Sequence, residues 1–160
     1  MRTRARSFTF RLLSVAAAVL GAAAIVAVRA GRGGAEAPPG RYAVGAETVL
    51  DNQTGLVWQQ PYDPNDRTWT DALAYCEGLS LAGYDDWRLP SYKELLTLVD
   101  FRSFSPAIDA AVFPETGSAR FWSSSPIPAH TDLAWSVSFV NGEASGDETA
   151  VWSQQVRCVR

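Results

Sequence analysis

Apolar residues recur every three to four positions in two stretches of the chain, the spacing that lines one face of a helix. The first stretch begins at Trp69, and the second begins at Tyr92 and ends near Asp100. Their inward-facing members are Trp69, Ala72, Leu73 and Cys76 in the first, and Tyr92, Leu95, Leu96 and Val99 in the second. The pattern predicts two amphipathic helices, and it turns Cys76 inward.

Each predicted helix begins at a capping signal. Thr68 is followed three residues later by Asp71, and Ser91 is followed three residues later by Glu94. In such a box the hydroxyl accepts a free backbone N–H, and the acidic side chain accepts the N–H of the cap residue. Gly78 predicts a left-handed end for the first helix.

Short strands are predicted on both sides of the helices. Residues 48–50 and 56–59 flank a polar loop, and residues 121–124 follow the helices. Along residues 135–139 large apolar side chains alternate with serine, which is typical of a half-buried strand, and the Asn-Gly pair at 141–142 is a strong hairpin signal. This order of elements predicts an α+β fold with a small antiparallel sheet.

Three segments lack a long apolar period. Residues 31–46 are rich in glycine, proline and alanine, so we predict a flexible tether there and a folded domain over residues 47–160. Residues 61–66 are predicted to be a loop. A single helical turn is predicted at 108–112, within a longer loop.

Residues 1–30 have the organisation of a secretory signal. Four arginines and no acidic residue precede a run of uncharged, mostly apolar residues from 12 to 28. These are the basic and apolar regions of a signal peptide, and small residues suited to cleavage stand at 28–30 and at 22–24. The alternative is an uncleaved membrane anchor, because about 20 apolar residues span a bilayer. In either case we expect export to the periplasm, the cell surface or the medium.

The chain beyond residue 30 is acidic. Residues 1–30 hold five of the 14 basic residues and none of the 17 acidic ones, which leaves nine against seventeen and a formal charge of −8. Such a domain repels nucleic acid and other polyanions. We therefore expect an extracellular partner that is not a nucleic acid.

The chain has two cysteines, Cys76 and Cys158. An oxidising compartment converts such a pair into a disulfide, and only one pairing is possible. The loop that it closes holds about 80 residues, for which the chain-entropy treatment gives at most about 4 to 5 kcal/mol. The alternative is a pair of buried free thiols.

No catalytic site is predicted. His130 is the one histidine, and the prolines around it indicate a surface loop. The sequence offers no set of zinc ligands at workable spacing and no glycine-rich phosphate loop. We therefore expect a protein that is not an enzyme and that needs no cofactor.

Calcium is the best metal candidate, because an exported acidic domain can supply several oxygen ligands from neighbouring loops. The candidate ligands, which also form a candidate ligand-binding site, are Asn141, Glu143, Asp147 and Glu148 in the hairpin NGEASGDE. A second acidic turn holds Asp85 and Asp86. The alternative is a solvated acidic rim, since the spacing is not that of an EF-hand.

The six tryptophans are numerous for one domain. Trp69 lies on an inward helix face and Trp135 on the apolar side of a strand, so both are predicted to be core. The other four, which serve either as core or as stacking platforms for sugar rings, are Trp58, Trp87, Trp122 and Trp152.

The stretch DDWRLPSYKEL is interpreted as a structural corner. Asp85 and Asp86 make the turn after Gly83, and Trp87 packs under the helix. Arg88 donates hydrogen bonds to carboxylates or carbonyls. Leu89 and Pro90 set the entry to the second helix.

Several motifs occur together and in order: TGLVWQ, W-x-x-A-x-x-YC-x-x-L, LAGYDDWRLPSYKEL, Phe113-Pro114, FWSSS, an aromatic strand followed by NG, and VRCVR. Together they resemble the Lcl C-terminal domain family over residues 47–160. The residues that carry the resemblance include Trp69, Trp87, Arg88, Leu89, Pro90 and Trp122. That family is similar to the C-type lectin-like fold, in which a cysteine of the first helix is tied to one in the last strand, as Cys76 and Cys158 would be here.

The resemblance implies a binding module rather than an enzyme. In the collagen-like adhesin that gives the family its name, the domain is associated with sulfated host glycans and adhesion, and the protein forms trimers through its stalk. This chain lacks a Gly-X-Y stalk, its charge is wrong for a polyanion, and the E-P-N and W-N-D motifs of C-type lectins are absent. The fold transfers and the ligand, glycan or protein, does not. Two alternatives stay open: an enzyme of the formylglycine-generating type and a structural subunit of the envelope or an appendage.

Overall fold

The computed structural model describes residues 36–149 and 151–160. The predicted leader, 1–30, and the first part of the predicted tether lie outside the described residues. Within the described part, none of the helices has the length and apolar character needed to cross a membrane. In chain order the elements are β1 (Tyr42–Val44), β2 (Thr48–Asp51), β3 (Val57–Gln59), β4 (Asp63–Arg67), α1 (Trp69–Glu77), α2 (Tyr92–Thr97), β5 (Arg120–Ile127), β6 (His130–Ser138), β7 (Ala144–Glu148) and β8 (Gln154–Val156).

The strands form two sheets. A three-stranded sheet has the order β1-β2-β3, and a five-stranded sheet has the order β4-β8-β5-β6-β7. All neighbours are antiparallel except β5 and β8, which run parallel where Phe121 pairs with Gln155. The predicted α+β fold with two helices and small antiparallel sheets is therefore confirmed, with one parallel pairing added.

Both predicted helix starts are confirmed. Thr68 accepts the backbone N–H of Asp71, and Ser91 and Glu94 form the reciprocal capping box. The predicted left-handed end at Gly78 is wrong, because this residue has a φ of −90°. Its N–H bonds back to the carbonyls of residues 74 and 76, which closes the helix without a left-handed residue.

Two predictions about irregular segments need correction. Residues 63–67 form β4 rather than a loop, because Asp63 and Arg67 pair with β8, about 90 residues further along the chain. The end of the predicted tether, Tyr42–Val44, forms β1 and pairs with β2. The single helical turn predicted at 108–112 is present and starts at Asp109, whose carbonyl accepts the N–H groups of Val112 and Phe113.

Two apolar clusters cover the five-stranded sheet. The cluster beside α2 is built from Val49, Trp58, Leu95, Leu98, Ile108, Phe113, Phe121, Val137, Phe139 and Val159. The cluster beside α1 is built from Ala72, Cys76, Trp87, Leu89, Trp122, Ala134, Val156 and Cys158. Phe121 and Trp122 are successive residues of β5, so opposite faces of this strand serve the two clusters.

A disulfide joins Cys76 of α1 to Cys158, which follows β8. Both cysteines are fully buried in the α1 cluster. The predicted pairing is confirmed, and the alternative of two free thiols is excluded. The bond ties the first helix to the end of the chain, across a sequence separation of 82 residues.

Arg157 is a buried cation without a carboxylate partner among the described residues. Its Nη1 donates to the carbonyls of Gln59 and Gln60, and its Nη2 donates to Thr116 Oγ1. The guanidinium lies 4.7 Å from the centre of the Phe113 ring. Burial lowers the pKa of Arg157 to about 9. The side chain thereby fastens three separate segments of the chain to one another.

The predicted corner before α2 is present, but its turn is formed by Ala82 and Gly83, between Leu81 and Tyr84, so the assignment of the turn to Asp85 and Asp86 is wrong. The backbone of Arg88 exchanges two hydrogen bonds with Val159, and its guanidinium donates to both carboxylate oxygens of Glu94 at 2.8 and 2.7 Å. Asp86 accepts two hydrogen bonds from Arg160. Trp87 is buried in the α1 cluster rather than in the α2 cluster, so the prediction that it packs under the second helix is wrong. This corner therefore joins the start of α2 to the chain terminus.

Glu94 makes the stability of the domain sensitive to acid. The hydrogen bonds from Arg88, aided by those from Ser91, lower the pKa of Glu94 from 4.5 to about 2. Because the unfolded chain then binds the proton more readily, the contribution of Glu94 is fully present above about pH 5 and is lost as the pH falls toward 2. We expect the stability difference between wild type and Glu94→Gln, measured by urea unfolding, to shrink over that range. A difference that stays constant from pH 6 to pH 3 would contradict this account.

The predicted hairpin at Asn141-Gly142 connects β6 to β7. Gly142 has a φ of +79°, and a Cβ there would lie 2.4 Å from Val99 Cγ1 and 2.8 Å from Phe101 Cε1. We expect Gly142→Ala to lower the free energy of unfolding by about 2 kcal/mol, since backbone strain and overpacking add. The matched control is Gly55→Ala, with a φ of +75° and no atom within 4 Å of its added Cβ. Denaturant unfolding should show a smaller loss of unfolding free energy for Gly55→Ala than for Gly142→Ala. Equal losses would mean that contact with Val99 and Phe101 does not contribute.

Candidate ligand-binding site

Polar side chains gather on the face of the five-stranded sheet that also carries Trp122. Ser136 of β6 pairs with Trp122 on one side and with Ser145 of β7 on the other, so these three share a face. Arg120 lies two residues before Trp122 on β5, and Asp147 lies two residues after Ser145 on β7, so both belong to the same face. With Gln154 of β8, the polar members form what we call the polar cluster: Arg120, Ser136, Ser145, Asp147 and Gln154.

Hydrogen bonds run continuously through the polar cluster. Arg120 Nη1 donates to Ser136 Oγ at 3.3 Å and also to Ser145 Oγ. Ser136 Oγ donates to Asp147 Oδ2, which also accepts from Gln154 Nε2 at 3.5 Å. Ser136 is buried, whereas the other four side chains are half-buried. The cluster thus has a buried hydroxyl at its base and reaches solvent through charged groups.

Arg120 differs from the other arginines in the described part of the chain. Five of these are hydrogen-bonded to a carboxylate, in the pairs Arg41–Asp51, Arg67–Asp63, Arg88–Glu94, Arg102–Asp100 and Arg160–Asp86. Arg157 is buried and bonded to carbonyls. Arg120 instead lies 3.9 Å from Glu143, beyond hydrogen-bond distance, and its side chain is 32% exposed. Its guanidinium therefore keeps donor capacity at the surface.

The polar cluster suits a ligand with many hydroxyl groups. The guanidinium of Arg120 and the amide of Gln154 offer donors, while Asp147 and the neighbouring Glu143 offer acceptors. Two carboxylates against one guanidinium make the local charge negative, which disfavours an anionic ligand. Neutral polyols, which both donate and accept, match this arrangement.

The calcium candidates are only partly brought together. Asn141 and Glu143 lie at the hairpin tip, where Asn141 Oδ1 accepts the N–H of Glu143 at 3.1 Å. Asp147 belongs to the polar cluster, and Glu148 ends β7. Among the described residues, no group of three or more His, Cys, Asp or Glu side chains is arranged to hold a metal ion. The geometry therefore adds no support to the calcium hypothesis.

The tryptophans divide into packed and exposed ones. Trp58, Trp87 and Trp122 are buried. Trp69 and Trp135 were both predicted to be core but are only half-buried. Trp69 donates to the carbonyl of residue 123, and Trp135 stacks on the ring of Tyr92. Trp152 is 55% exposed and lies two residues before Gln154. Trp152 is therefore the tryptophan best placed in the chain to stack on a ligand beside the polar cluster.

His130 is exposed, as predicted, but it begins β6 rather than lying in a loop. It is not hydrogen-bonded to a serine, cysteine or acidic side chain among the described residues. Both sulfurs lie in the buried disulfide. The nucleophile and base pairs considered from the sequence are therefore not assembled around this residue.

A comparison with protein families identifies the domain. The family model of the Lcl C-terminal domain matches residues 47–160, most of the chain. The chain belongs to the Lcl C-terminal domain family. The suspected family is thus confirmed, and the matched range begins at the residue where the folded domain was predicted to start. A comparison with curated proteins finds no match.

The residues that mark this chain as an Lcl C-terminal domain are structural. Trp87, Leu89, Pro90 and Trp122 are buried, and Trp122 Nε1 donates to the carbonyl of Arg67. Four of the five residues of the polar cluster lie outside the family motifs, and the fifth, Ser136, lies in the aromatic strand that precedes NG. Membership of the Lcl family therefore accounts for the fold of this chain, but it does not explain the polar cluster.

Sequence reasoning found Asp147 and Glu143 and missed Arg120, Ser136, Ser145 and Gln154. Ser136 was expected on the solvent side of an alternating strand, yet it is buried. One signal was available: Arg120 directly precedes the strand-like run FWSSS, so its alternation with Trp122 places both on one face. The contribution of β7 depends on register, which the sequence does not show.

Proposed function

We propose that this chain is an exported, non-catalytic binding module of the cell envelope that binds a neutral glycan at the polar cluster. The observation that carries the proposal is the half-exposed guanidinium of Arg120, which is hydrogen-bonded to two serine hydroxyls and only loosely paired with a carboxylate, that of Glu143 at 3.9 Å. Held in this way, it presents fixed donors beside the acceptors of Asp147. Trp152 supplies an exposed aromatic face near Gln154 in the chain, on which the apolar face of a sugar ring can stack.

The same proposal includes a C-type lectin-like architecture. Its support is the bond from Cys76 in the first helix to Cys158 beside the last strand. A domain closed in this way holds the strands that carry the polar cluster in a fixed register. A fixed register favours binding, because the ligand then does not have to order the site.

The absence of catalysis is likewise part of the proposal. An enzyme of the formylglycine-generating type needs reactive thiols in a cleft, and the buried disulfide of this chain argues against that alternative. Export follows from the leader-like residues 1–30. A structural subunit of the envelope would self-associate without binding any glycan, which separates it experimentally from a binding module.

The test is a screen of the exported chain against immobilised neutral, carboxylated and sulfated glycans. We expect neutral glycans to bind, and Arg120→Gln to weaken binding by about ten-fold or more, because hydrogen bonds from a charged donor are lost. Arg120→Lys should bind the glycan almost as weakly as Arg120→Gln, since an ammonium does not reproduce the planar set of donors of a guanidinium. The matched control is Arg102→Gln, an exposed arginine paired outside the polar cluster.

Three results would overturn the proposal. They are binding of sulfated chains alone, equal binding by wild type and Arg120→Gln, and self-association without binding to any glycan. The screen is run with calcium and with a chelator, because strict calcium dependence would move the site to the hairpin of Asn141 and Glu143.

A further inference from the structure

Asn141 is the one asparagine of this chain that is followed by glycine. The side-chain amide of an asparagine is open to attack by the backbone nitrogen of the next residue, and glycine favours this attack because it has no Cβ in the way. The other asparagines, Asn52 and Asn65, are followed by glutamine and aspartate. Asn141 therefore has the most reactive sequence setting among the asparagines.

The reaction at such a pair is deamidation, and its only reagent is water. The nitrogen of Gly142 bonds to the side-chain carbonyl carbon of Asn141, and its proton leaves with the side-chain nitrogen as ammonia. Water then opens the resulting cyclic imide at either of its carbonyl groups. One opening leaves aspartate, and the other leaves isoaspartate, whose backbone is longer by one methylene. Both products carry a carboxylate where Asn141 carried an amide.

The fold holds both reacting groups in place. In residues 139–142, which we call the β6–β7 turn, the N–H of Gly142 donates to the carbonyl of Ser138 at 2.8 Å. The nitrogen has to lose this proton and move toward the side chain, so the hydrogen bond must break before the attack. The side chain of Asn141 is also held, because its Oδ1 accepts the N–H of Glu143 at 3.1 Å. Deamidation therefore requires the turn to open.

Further contacts keep the β6–β7 turn closed. The N–H of Ser138 donates to the carbonyl of Glu143 at 2.8 Å, and Ser138 Oγ accepts the N–H of Val140 at 3.2 Å. Gly142 is buried so close to Val99 that an added Cβ would lie 2.4 Å from its Cγ1. A turn held in this way is open for only a small fraction of the time. A reaction of the open form alone is slowed in proportion to that fraction.

The products do not fit the closed turn. Asn141 Nδ2 donates to Glu143 Oε2 at 3.5 Å. Deamidation puts an anionic oxygen in place of this donor, so residues 141 and 143 then carry like charges close together. Isoaspartate also lengthens the backbone directly before Gly142, where the close packing on Val99 leaves no space for an added carbon. The original turn therefore does not form again after the reaction.

We propose that Asn141 is a spontaneous modification site that the β6–β7 turn controls. The closed turn protects the side chain, and deamidation during an opening makes the open form permanent. A transient local opening is thereby recorded as a lasting change of charge and of structure. This inference is independent of the glycan site, because the reacting groups are not part of the polar cluster.

The first test incubates the full chain in mildly alkaline buffer, either folded or unfolded by urea with reductant. Tryptic digestion places Asn141 in one peptide and both Asn52 and Asn65 in another, so mass spectrometry follows them separately. In the unfolded chain, Asn141 should deamidate faster than the other two. In the folded chain, its deamidation should be slower by about ten-fold or more, since the rate follows the open fraction of the turn.

The second test opens the turn without changing the Asn-Gly pair. Ser138→Ala removes the hydroxyl that accepts the N–H of Val140, and it should raise the deamidation rate of the folded chain by roughly three-fold or more, as expected for one lost hydrogen bond. The matched control is Ser153→Ala, at an exposed serine outside the turn, which should keep the wild-type rate. After unfolding, both variants should react like unfolded wild type.

The third test isolates the deamidated chain by ion exchange. Its Gly142 amide should exchange hydrogen faster than in the unmodified chain, because the turn stays open. Exchange at the unmodified rate would contradict the proposal. So would equal deamidation of Asn141 in the folded and unfolded chains, no excess over Asn52 and Asn65 after unfolding, or equal rates for the two folded serine variants.

Discussion

Replacing both cysteines, as Cys76→Ala with Cys158→Ala, is expected to lower the free energy of unfolding by up to about 4 to 5 kcal/mol. The bond closes a sequence separation of 82 residues, and without it the unfolded chain regains the entropy of that loop. Loss of this size approaches the whole stability of many domains, so partial unfolding at 37 °C is expected. Guanidinium unfolding without reductant gives the comparison directly.

The control for this prediction is the wild type unfolded in the presence of reductant, which breaks the same bond without creating two cavities. The double alanine variant and the reduced wild type should lose similar amounts of unfolding free energy. A loss under about 1 kcal/mol in both would mean that the link between α1 and the chain terminus is not what holds the domain together.

Arg157→Met is expected to lower the free energy of unfolding by about 3 kcal/mol. Methionine fills much of the same apolar volume, but the carbonyls of Gln59 and Gln60 and the hydroxyl of Thr116 lose their donor in a buried place. The relief of removing a buried charge offsets only part of that loss, because the acceptors stay behind. Urea unfolding at neutral pH measures the difference.

The matched control is Arg102→Met, at a side chain that is 64% exposed. A change there should stay within about 0.5 kcal/mol, as is usual for surface positions. If Arg157→Met matched that control, the hydrogen bonds of Arg157 would contribute little. The conclusion that Arg157 stabilises the domain by joining residues 59–60 and Thr116 to the last strand would then be wrong.

Features of this fold that depend on near neighbours in sequence could be predicted. The capping box of Ser91 and Glu94 and the hairpin at Asn141-Gly142 need only a few adjacent residues, and both are present. The disulfide could be predicted because two cysteines allow one pairing. Gly78 shows the limit of such local reasoning, since hydrogen bonds to two carbonyls closed the helix in another way.

Features that depend on distant partners could not be predicted. The segment at 63–67 has no apolar alternation and becomes a strand only because β8 lies beside it. Likewise β1 emerges from a glycine- and proline-rich segment because β2 offers its edge. The signal for such strands lies in the partner rather than in the segment itself.

The polar cluster depends partly on residues that the sequence marks and partly on how distant strands pair. Asp147 was predicted as a candidate ligand because it is acidic, but the alternation of the strand predicted that its partner Ser136 would face solvent. The register that joins Ser136 to Ser145 across β6 and β7 brings Arg120 and Asp147 into one network. A binding site that spans four strands is a property of the sheet, and motifs that mark the family do not report it.

Amide chemical-shift mapping, with isotopically labelled chain titrated with the neutral glycan that binds best, tests the central claim most directly. The account predicts that the largest shifts fall on Arg120, Ser136, Ser145 and Asp147, together with the indole of Trp152. Largest shifts at the corner of Asp86 and Arg160, or no shift at saturating glycan, would contradict it.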